Sequence, residues 1–293
     1  GRPVRLGLAA AALVVVGSLP IGRTGRTVHR DRSFFGVVQV VRDETGAQHR
    51  LVHGDTTHGA QSTDPRRRRE PLTYFHRSGP AGQALTELPG ASRSRVAVIG
   101  LGTGSLACYG EPGQRWTFYE IDPGVERVAR DRRLFTYLED CPTNTDVVLG
   151  DARLSLTRAP DRHFSLVVLD AFSSDAIPVH LLTRQAFDVY LDKLADGGVL
   201  AAHVTNRYLD LPPVLGDLAR DAGLTAVVRR DLVVTDAERD EGKSGSVWVL
   251  MARRPADLVP LTADPRWEPL RGAARPRVWT DDFSNIVTVL DWG

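Results

Sequence analysis

Three short segments of the sequence place glycines and acidic residues at spacings that suit a nucleoside. A glycine-rich loop runs from Gly100 through Gly102 to Gly104, directly after an apolar run. Such glycines let the backbone approach a ligand, and a following helix offers its N-terminus. Glu120, followed by Ile121, lies twenty residues after Gly100. This is the offset at which a carboxylate can accept hydrogen bonds from both ribose hydroxyls.

The third segment, Asp151-Ala152, follows another apolar run. We predict that the Asp151 carboxylate accepts a hydrogen bond from the exocyclic amine of an adenine. The loop lacks the third glycine of a dinucleotide-binding motif, which together with Asp151 favours an adenosyl sulfonium compound over NAD. The alternative is that these acidic residues only cap helices.

Two further carboxylates, Asp170 and Asp175, follow the next apolar run. Ligands of open α/β sheets bind beyond the carboxyl ends of the strands, so Asp170 should face the same crevice as the glycine loop. The pair would hold a cation or deprotonate an amine. The alternative for Asp175 is again a helix cap.

The elements that must position these residues are predicted from apolar runs of four to six residues separated by helical stretches, which are typical of a parallel sheet covered on both faces. An earlier segment, Phe35 to Val41, a polar turn, and His49 to His53, predicts a β-hairpin. The strands predicted after residue 95 are Val96–Ile99, Trp116–Glu120, Asp146–Leu149, Leu166–Asp170, Val199–Val204, Ala226–Arg229 and Val247–Met251.

Composition narrows the class of function. The 293 residues carry 37 Lys and Arg against 36 Asp and Glu, so no global field would steer nucleic acid, and no nucleic-acid partner is expected. Cys108 and Cys141 are too few for a disulfide framework and lie in no cluster with metal-ligand spacing. We therefore expect a reducing compartment and no metal site.

The N-terminus carries an uncharged, mostly apolar run from Leu6 to Ile21, flanked by arginines. The run is short of the roughly 18–20 residues that cross a bilayer as a helix. A membrane helix or anchor, a signal peptide and a buried helix all stay open. A polar, basic linker with few core contacts is expected from Gly22 to Asp31.

The ordered succession of the glycine loop, Glu120, Asp151 and Asp170, preceded by a segment with Gln61 and Tyr74, resembles the spermidine synthase (polyamine aminopropyltransferase) family. It looks most like the membrane-fused bacterial branch. The resemblance implies an α/β fold with a doubly wound seven-stranded sheet of the S-adenosylmethionine-dependent methyltransferase type, preceded by a small β-hairpin domain. The implied organisation is a residual membrane helix and linker over 1–30, the hairpin domain over 31–80, and the Rossmann-like transferase domain over 81–293.

By that resemblance Glu120 binds the ribose, Asp151 the adenine, and Asp170 activates the attacking amine. Gln61 and Tyr74 would line the donor and acceptor pocket. The co-substrate would be decarboxylated S-adenosylmethionine, or S-adenosylmethionine itself, with no permanently bound cofactor. The expected partners are a polyamine or other small amine, the membrane through the N-terminus, and a second copy of the chain. The expected location is a cytoplasmic domain attached to the inner membrane.

Three departures from the family pattern concern the amine side. Thr103 stands where members usually carry an Asp, Arg66 to Arg69 replace an acidic stretch, and Phe75 replaces a Gln. A cationic acceptor wants carboxylates around it, so these changes argue for a different or weaker acceptor. Asp281 and Asp282 would restore negative charge if the C-terminal segment folded over the crevice.

Two other functions stay open. The doubly wound fold is shared with methyltransferases that use intact S-adenosylmethionine, and the Asp that Thr103 replaces is a feature of aminopropyl transfer. The second alternative is a catalytically silent module, which binds a nucleoside or polyamine and gates an attached membrane region.

Overall fold

The N-terminal part of the chain is a four-stranded antiparallel sheet. The computed structural model describes residues 25–290 except 55, 142, 172–177 and 275. The strands follow one another in chain order: β1 (Arg26–Ser33), β2 (Gly36–Arg42), β3 (Gln48–His53) and β4 (Thr56–Ser62). The predicted hairpin is confirmed as β2 and β3.

Strand β1 occupies residues that we expected to be a linker. It pairs with β2 from Arg26↔Arg42 to Ser33↔Gly36, and its side chains are mostly exposed, as on many edge strands. Asp31 on β1 also forms an ion pair with Arg127 at 2.6 Å. The polar composition that suggested a linker therefore belongs to an edge strand, and a chain beginning at Arg32 would lose most of it.

The second sheet has eight strands in the order β12-β10-β11-β9-β8-β5-β6-β7. Strands β9, β8, β5, β6 and β7 pair with one another in parallel. At the other end of the sheet, β11 pairs antiparallel with β9, and β10 pairs antiparallel with both β11 and β12. All seven predicted strands are present, and the eighth is a two-residue edge strand. The strands are β5 (Arg95–Ile99), β6 (Arg115–Glu120), β7 (Asn144–Leu149), β8 (Phe164–Leu169), β9 (Leu194–His203), β10 (Thr225–Asp231), β11 (Ser246–Ala252) and β12 (Glu268–Pro269).

Helices cover both faces of this sheet. The α-helices are α1 (Pro80–Glu87), α2 (Pro123–Arg130), α3 (Tyr137–Asp140), α4 (Ala152–Leu156), α5 (Arg184–Lys193), α6 (Pro212–Asp221), α7 (Asp236–Asp240) and α8 (Val259–Thr262). Short 3₁₀ helices span Gly90–Arg93, Ser105–Tyr109, Val179–Leu181, Pro255–Leu258 and Ile286–Val289. The helix expected after the glycine loop is a five-residue 3₁₀ helix.

Strand β5 shows why the sheet is buried on both faces. Val96 and Val98 pack into one apolar cluster, which includes Trp116 and Trp248, while Ile99 packs into a second cluster on the other face. All of these side chains are essentially inaccessible to solvent. The near-continuous apolar run of β5 follows from this burial on both sides.

The N-terminal sheet packs against the body through a third apolar cluster. Val38, Val40 and Leu51 of β2 and β3 contact Val128 of α2 and Phe135. This contact holds β3 and β4 over the carboxyl ends of the parallel strands.

The two cysteines form a disulfide. Cys108 lies in a 3₁₀ helix and Cys141 follows α3, with Cα atoms 4.9 Å apart. We did not predict this pairing. A disulfide is unexpected for a protein of the reducing compartment that we predicted, because disulfides persist mainly in oxidising compartments.

Within the described part of the chain, no helix is long and apolar enough to cross a membrane. The run from Leu6 to Ile21 lies outside the described residues.

Candidate functional site

A cavity of about 340 Å³ lies beyond the carboxyl ends of the parallel strands. We call it the glycine-loop cavity. It brings together residues that the sequence analysis placed at separate strand ends. The predicted site residues in its lining are Tyr74, Gly100, Gly102, Glu120, Ile121, Asp151, Ala152 and Asp170.

Close backbone packing requires glycine at the positions of this loop. Gly100 has φ +103° and Gly102 φ +54°, in the region that favours glycine. A Cβ on Gly100 would overlap the Asp170 carbonyl oxygen, and one on Gly102 would lie 2.6 Å from the His58 carbonyl oxygen. Gly104 is outside the cavity lining, and a Cβ there would lie 2.8 Å from Leu138. The loop therefore packs against β8 and β4 while its backbone faces the cavity.

Glu120 ends β6 with its carboxylate held by two backbone donors. The N–H of Leu101 donates to Oε2 at 3.0 Å, and the N–H of Asp122 donates to Oε1 at 2.8 Å. Burial raises the pKa of Glu120, an effect that these two hydrogen bonds oppose. Each oxygen still has acceptor capacity toward the cavity.

Asp151 both caps α4 and lines the cavity. Its Oδ1 accepts a hydrogen bond from the N–H of Leu154 at 2.9 Å, which is the capping role weighed as the alternative. Its Oδ2 lies 3.4 Å from Nε2 of His180. The cap fixes the direction of the carboxylate and leaves Oδ2 at the cavity.

Asp170 follows β8 and contacts a histidine that the sequence analysis did not single out. Nδ1 of His203, the last residue of β9, lies 2.8 Å from Asp170 Oδ1, and its Nε2 lies 2.7 Å from Thr205 Oγ1. The N–H of Val247 donates to the same Thr205 oxygen at 2.8 Å. An ionised Asp170 carboxylate can only accept, so Nδ1 of His203 donates to it, and the Thr205 hydroxyl can then donate to Nε2 while it accepts from Val247.

The Asp170 carboxyl is largely buried, with its side chain 10% exposed. Burial raises its pKa, and the His203 hydrogen bond opposes this effect. A carboxylate with a raised pKa is a stronger base than an ordinary aspartate, which suits proton abstraction.

Tyr74 stacks on the same histidine. The Tyr74 and His203 rings are 4.4 Å apart between centroids, and the Trp248 ring lies 5.1 Å away from His203. The Tyr74 hydroxyl donates to the Thr57 carbonyl at 3.1 Å. Burial and the nearby Asp170 charge raise the pKa of Tyr74 well above its ordinary value, so the hydroxyl stays protonated.

His58 is a second cavity residue without a signal in the sequence. Burial lowers its pKa to about 4, so the ring is neutral at neutral pH. Its Nε2 is buried without a hydrogen-bond partner among the described residues. A buried polar nitrogen in a cavity wall is costly unless a ligand or water satisfies it.

Several predicted residues lie elsewhere. Gln61 is buried and saturated: its amide accepts from the N–H of Thr136 at 2.9 Å and donates to the Arg68 carbonyl at 2.7 Å. It lines neither of the two large cavities of the described chain. Asp281 accepts two hydrogen bonds from Arg153, at 2.8 and 2.7 Å, so it adds no free negative charge to the crevice. Asp175 lies outside the described residues.

Thr103 does not replace the missing aspartate as a cavity ligand. It is 1% exposed, lies outside the cavity lining, and its Oγ1 would be 2.7 Å from a Cβ on Gly59. The glycine loop thus offers no carboxylate of its own to the cavity.

A second cavity, of about 650 Å³, also has Tyr74 in its lining. We call it the Lys243 cavity. Its wall includes Tyr74 and His203, so the Asp170–His203 pair lies at the junction of the two cavities. Lys243 is buried and its Nζ lies 3.0 Å from Asp231 and 2.6 Å from Glu238. Burial lowers the pKa of Lys243, but the two carboxylates raise it by more. The net shift is upward, so the ammonium stays charged.

This arrangement defines a class of protein: an α/β domain with the fold of spermidine synthases and a cavity at the carboxyl ends of its parallel strands. A probable spermidine synthase from Corynebacterium glutamicum has the same fold, with a TM-score of 0.60 and 16% identity over 91% of this chain and 99% of that one. The spermidine synthase from Thermotoga maritima superposes with a TM-score of 0.57 and 14% identity, over 92% and 85% of the two chains.

A relationship also appears in the sequence. A polyamine aminopropyltransferase from Vibrio vulnificus is 32% identical over 155 residues, which are 51% of this chain and 49% of the relative. The match thus spans about half the length of that curated relative. No family model matches the chain. The chain is thus similar in sequence to a polyamine aminopropyltransferase over about half its length, and similar in fold to spermidine synthases.

Proposed function

We propose that this protein transfers the aminopropyl group of decarboxylated S-adenosylmethionine to an amine acceptor and releases 5′-methylthioadenosine. The observation that carries the proposal is the buried Asp170–His203 pair at the junction of two cavities that share Tyr74. A group transfer between two substrates needs a base between two binding spaces. The reaction named for the Vibrio vulnificus relative, polyamine aminopropyl transfer, agrees with this arrangement.

In this proposal the glycine-loop cavity takes the nucleoside. Glu120 accepts hydrogen bonds from the ribose, Asp151 accepts one from the adenine amine, and the backbone at Gly100 and Gly102 lies against the ligand. Ile121 and Ala152 add apolar surface beside the adenosine. The Asp170 carboxylate attracts the sulfonium cation.

The chemical step is a displacement at carbon. The acceptor nitrogen forms a bond to the aminopropyl carbon while the bond from that carbon to sulfur breaks, and the sulfur leaves as a neutral thioether. The proton lost by the acceptor nitrogen passes to Asp170 and then to solvent. His203 acts as a positioning residue, because its Nδ1–H holds one Asp170 oxygen and leaves the other for the amine.

A methyltransferase that uses intact S-adenosylmethionine is the second candidate. The observation that favours it is the burial of Thr103 away from the cavity, which leaves the loop without the carboxylate that would hold the ammonium of an aminopropyl group. A silent binding module is the third and predicts nucleoside binding without turnover.

One assay separates the three. The purified protein is incubated with each donor and several amines, and the released thioether nucleosides are resolved by chromatography. We expect 5′-methylthioadenosine from the decarboxylated donor only. Production of S-adenosylhomocysteine would instead establish methyl transfer, and tight binding of 5′-methylthioadenosine without turnover would establish the silent module.

The finer features of attachment, location, assembly and domain organisation are also proposals. Membrane attachment through residues 6–21, and with it the likeness to the membrane-fused branch, rests on the apolar run and its flanking arginines. The inner-membrane location, the homodimer and the domain boundaries at residues 30 and 80 rest on the sequence alone. Flotation of the chain with anionic vesicles tests attachment, and light scattering tests the dimer.

A further inference from the structure

The wall of the Lys243 cavity is positively charged. Four cationic side chains line it, and no carboxylate does so among the described residues. The four are Arg50, Arg207, Arg239 and Lys243. Neutral hydrogen-bonding groups, including Thr57 and Ser244, make up much of the remaining wall.

Two of the four charges are already balanced. Lys243 lies between Asp231 and Glu238, and Arg239 forms an ion pair with Asp236 at 2.8 Å. These pairs belong to the segment that follows β10 and keep its backbone in place beside Tyr74.

The other two cationic side chains are Arg50 and Arg207, and Arg50 is close enough to Asp43 to help lower the pKa of that carboxyl. Arg50 is half-buried on β3, and Arg207 is exposed just after β9. Within the described part of the chain neither is in an ion pair. Both arginines line the same cavity as Tyr74 and His203. His203 contacts Asp170, where the proposed acceptor amine would bind.

A diamine fits this wall poorly. With one nitrogen at Asp170, its second ammonium would enter a space lined by Arg50 and Arg207. Like charges at close range disfavour binding, whereas an arginine guanidinium binds a carboxylate or phosphate with two parallel hydrogen bonds.

We propose that the acceptor is an amine that also carries an acidic group, a carboxylate or a phosphate, with the amine at Asp170 and the acidic group at Arg50 and Arg207. The inference rests on the proposed function, since it names the substrate class of that transfer. It agrees with the expectation, drawn from the amine side of the sequence, of an acceptor that differs from the family's.

The test compares acceptors of similar length and opposite end charge. The protein is assayed for 5′-methylthioadenosine release from decarboxylated S-adenosylmethionine with putrescine, 4-aminobutyrate and phosphoethanolamine. We expect at least tenfold higher kcat/KM for one of the two acidic amines than for putrescine. Whether 4-aminobutyrate or phosphoethanolamine reacts faster distinguishes a carboxylate from a phosphate.

Two variants check the site. Arg50→Gln and Arg207→Gln should each raise KM for the acidic acceptor about tenfold, with kcat little changed, and should leave or lower KM for putrescine. Arg254→Gln, an exposed arginine in an ion pair with Asp257, is the matched control and should change neither. Calorimetry with 5′-methylthioadenosine shows that each variant keeps the nucleoside site.

The outcomes are distinct. Faster turnover of putrescine than of both acidic amines, unaffected by the two arginine variants, overturns the inference and leaves aminopropyl transfer standing. Absence of 5′-methylthioadenosine with every amine, in protein that binds this nucleoside, overturns the proposed function and the inference with it.

Discussion

Replacing Asp170 by Asn tests the chemistry most directly, because it keeps the shape of the side chain and removes its charge. The Asn amide oxygen can still accept the Nδ1–H of His203, which is 2.8 Å from the native Oδ1. The position of the ring should therefore survive, and any loss of rate reports on the base.

The expected magnitude follows from the acceptor. A primary amine has a pKa of about 10.4, so fewer than about one molecule in a thousand carries a free lone pair at neutral pH. General-base catalysis typically contributes 10²–10⁴-fold, or about 3–5 kcal/mol of activation free energy. Asp170→Asn should lower kcat by that factor, and affinity for 5′-methylthioadenosine should stay within about threefold.

The pH dependence gives a second readout. Burial raises the pKa of Asp170 above the 3.8 of an ordinary aspartate, so the rate of the native protein should fall as pH drops through that raised pKa. The variant should lack the inflection at this pKa, although protonation of the free amine still lowers its rate as pH falls. Because the folded-state pKa is above the unfolded one, ionisation of Asp170 opposes folding as pH rises through this interval. The melting temperature of Asp170→Asn at neutral pH should thus be unchanged or higher.

The control is Asp196→Asn, at an exposed aspartate on β9 that forms an ion pair with the exposed Arg162. It should keep full activity. A rate for Asp170→Asn within threefold of the native protein, in an assay where the native protein clearly turns over, would refute the role given to Asp170.

Two other predictions concern binding and stability. Glu120→Gln should weaken binding of 5′-methylthioadenosine at least tenfold in calorimetry, since hydrogen bonds to a charged acceptor contribute about 1.5–3 kcal/mol each; an affinity within twofold of native would remove the ribose assignment. The cysteines of the Cys108–Cys141 disulfide are 33 residues apart, so its reduction should lower the free energy of unfolding by about 3–4 kcal/mol and the melting temperature by roughly 7–14 °C. Equal melting curves with and without dithiothreitol would contradict this prediction.

The parallel sheet was predictable because its strands are buried on both faces and therefore read as short apolar runs. The N-terminal sheet was only half predictable. Strand β2, with four buried residues in succession, gave a clear pattern, whereas β1, rich in charged residues and exposed, gave none. An edge strand is specified by its pairing partner, and that information is not local in the sequence.

The site residues also divide into those that local sequence pattern can place and those that depend on contacts distant in the sequence. Glu120, Asp151 and Asp170 follow predicted strands, and topology brings strand ends together without any knowledge of side-chain packing. His203 also ends a strand, and the same rule applied to β9 would have found it. Gln61 differs, because its hydrogen bonds reach Thr136, 75 residues away, and only the folded chain shows that its amide is fully used.

Tyr74 links the ion pairs of the Lys243 cavity to the Asp170–His203 pair through a series of direct contacts. Thr73 before it has φ +60°, a conformation that is uncommon for threonine, and its N–H donates to the Gly242 carbonyl at 2.7 Å. Strained backbone of this kind persists only where the surroundings hold it, and here the Lys243 ion pairs fix the partner segment. Tyr74 in turn stacks on His203, which holds Asp170. The charges in the wall of the Lys243 cavity therefore have two separate tasks. In the proposed function, Lys243 maintains the geometry of the base, and Arg50 and Arg207 bind the acidic group of the acceptor.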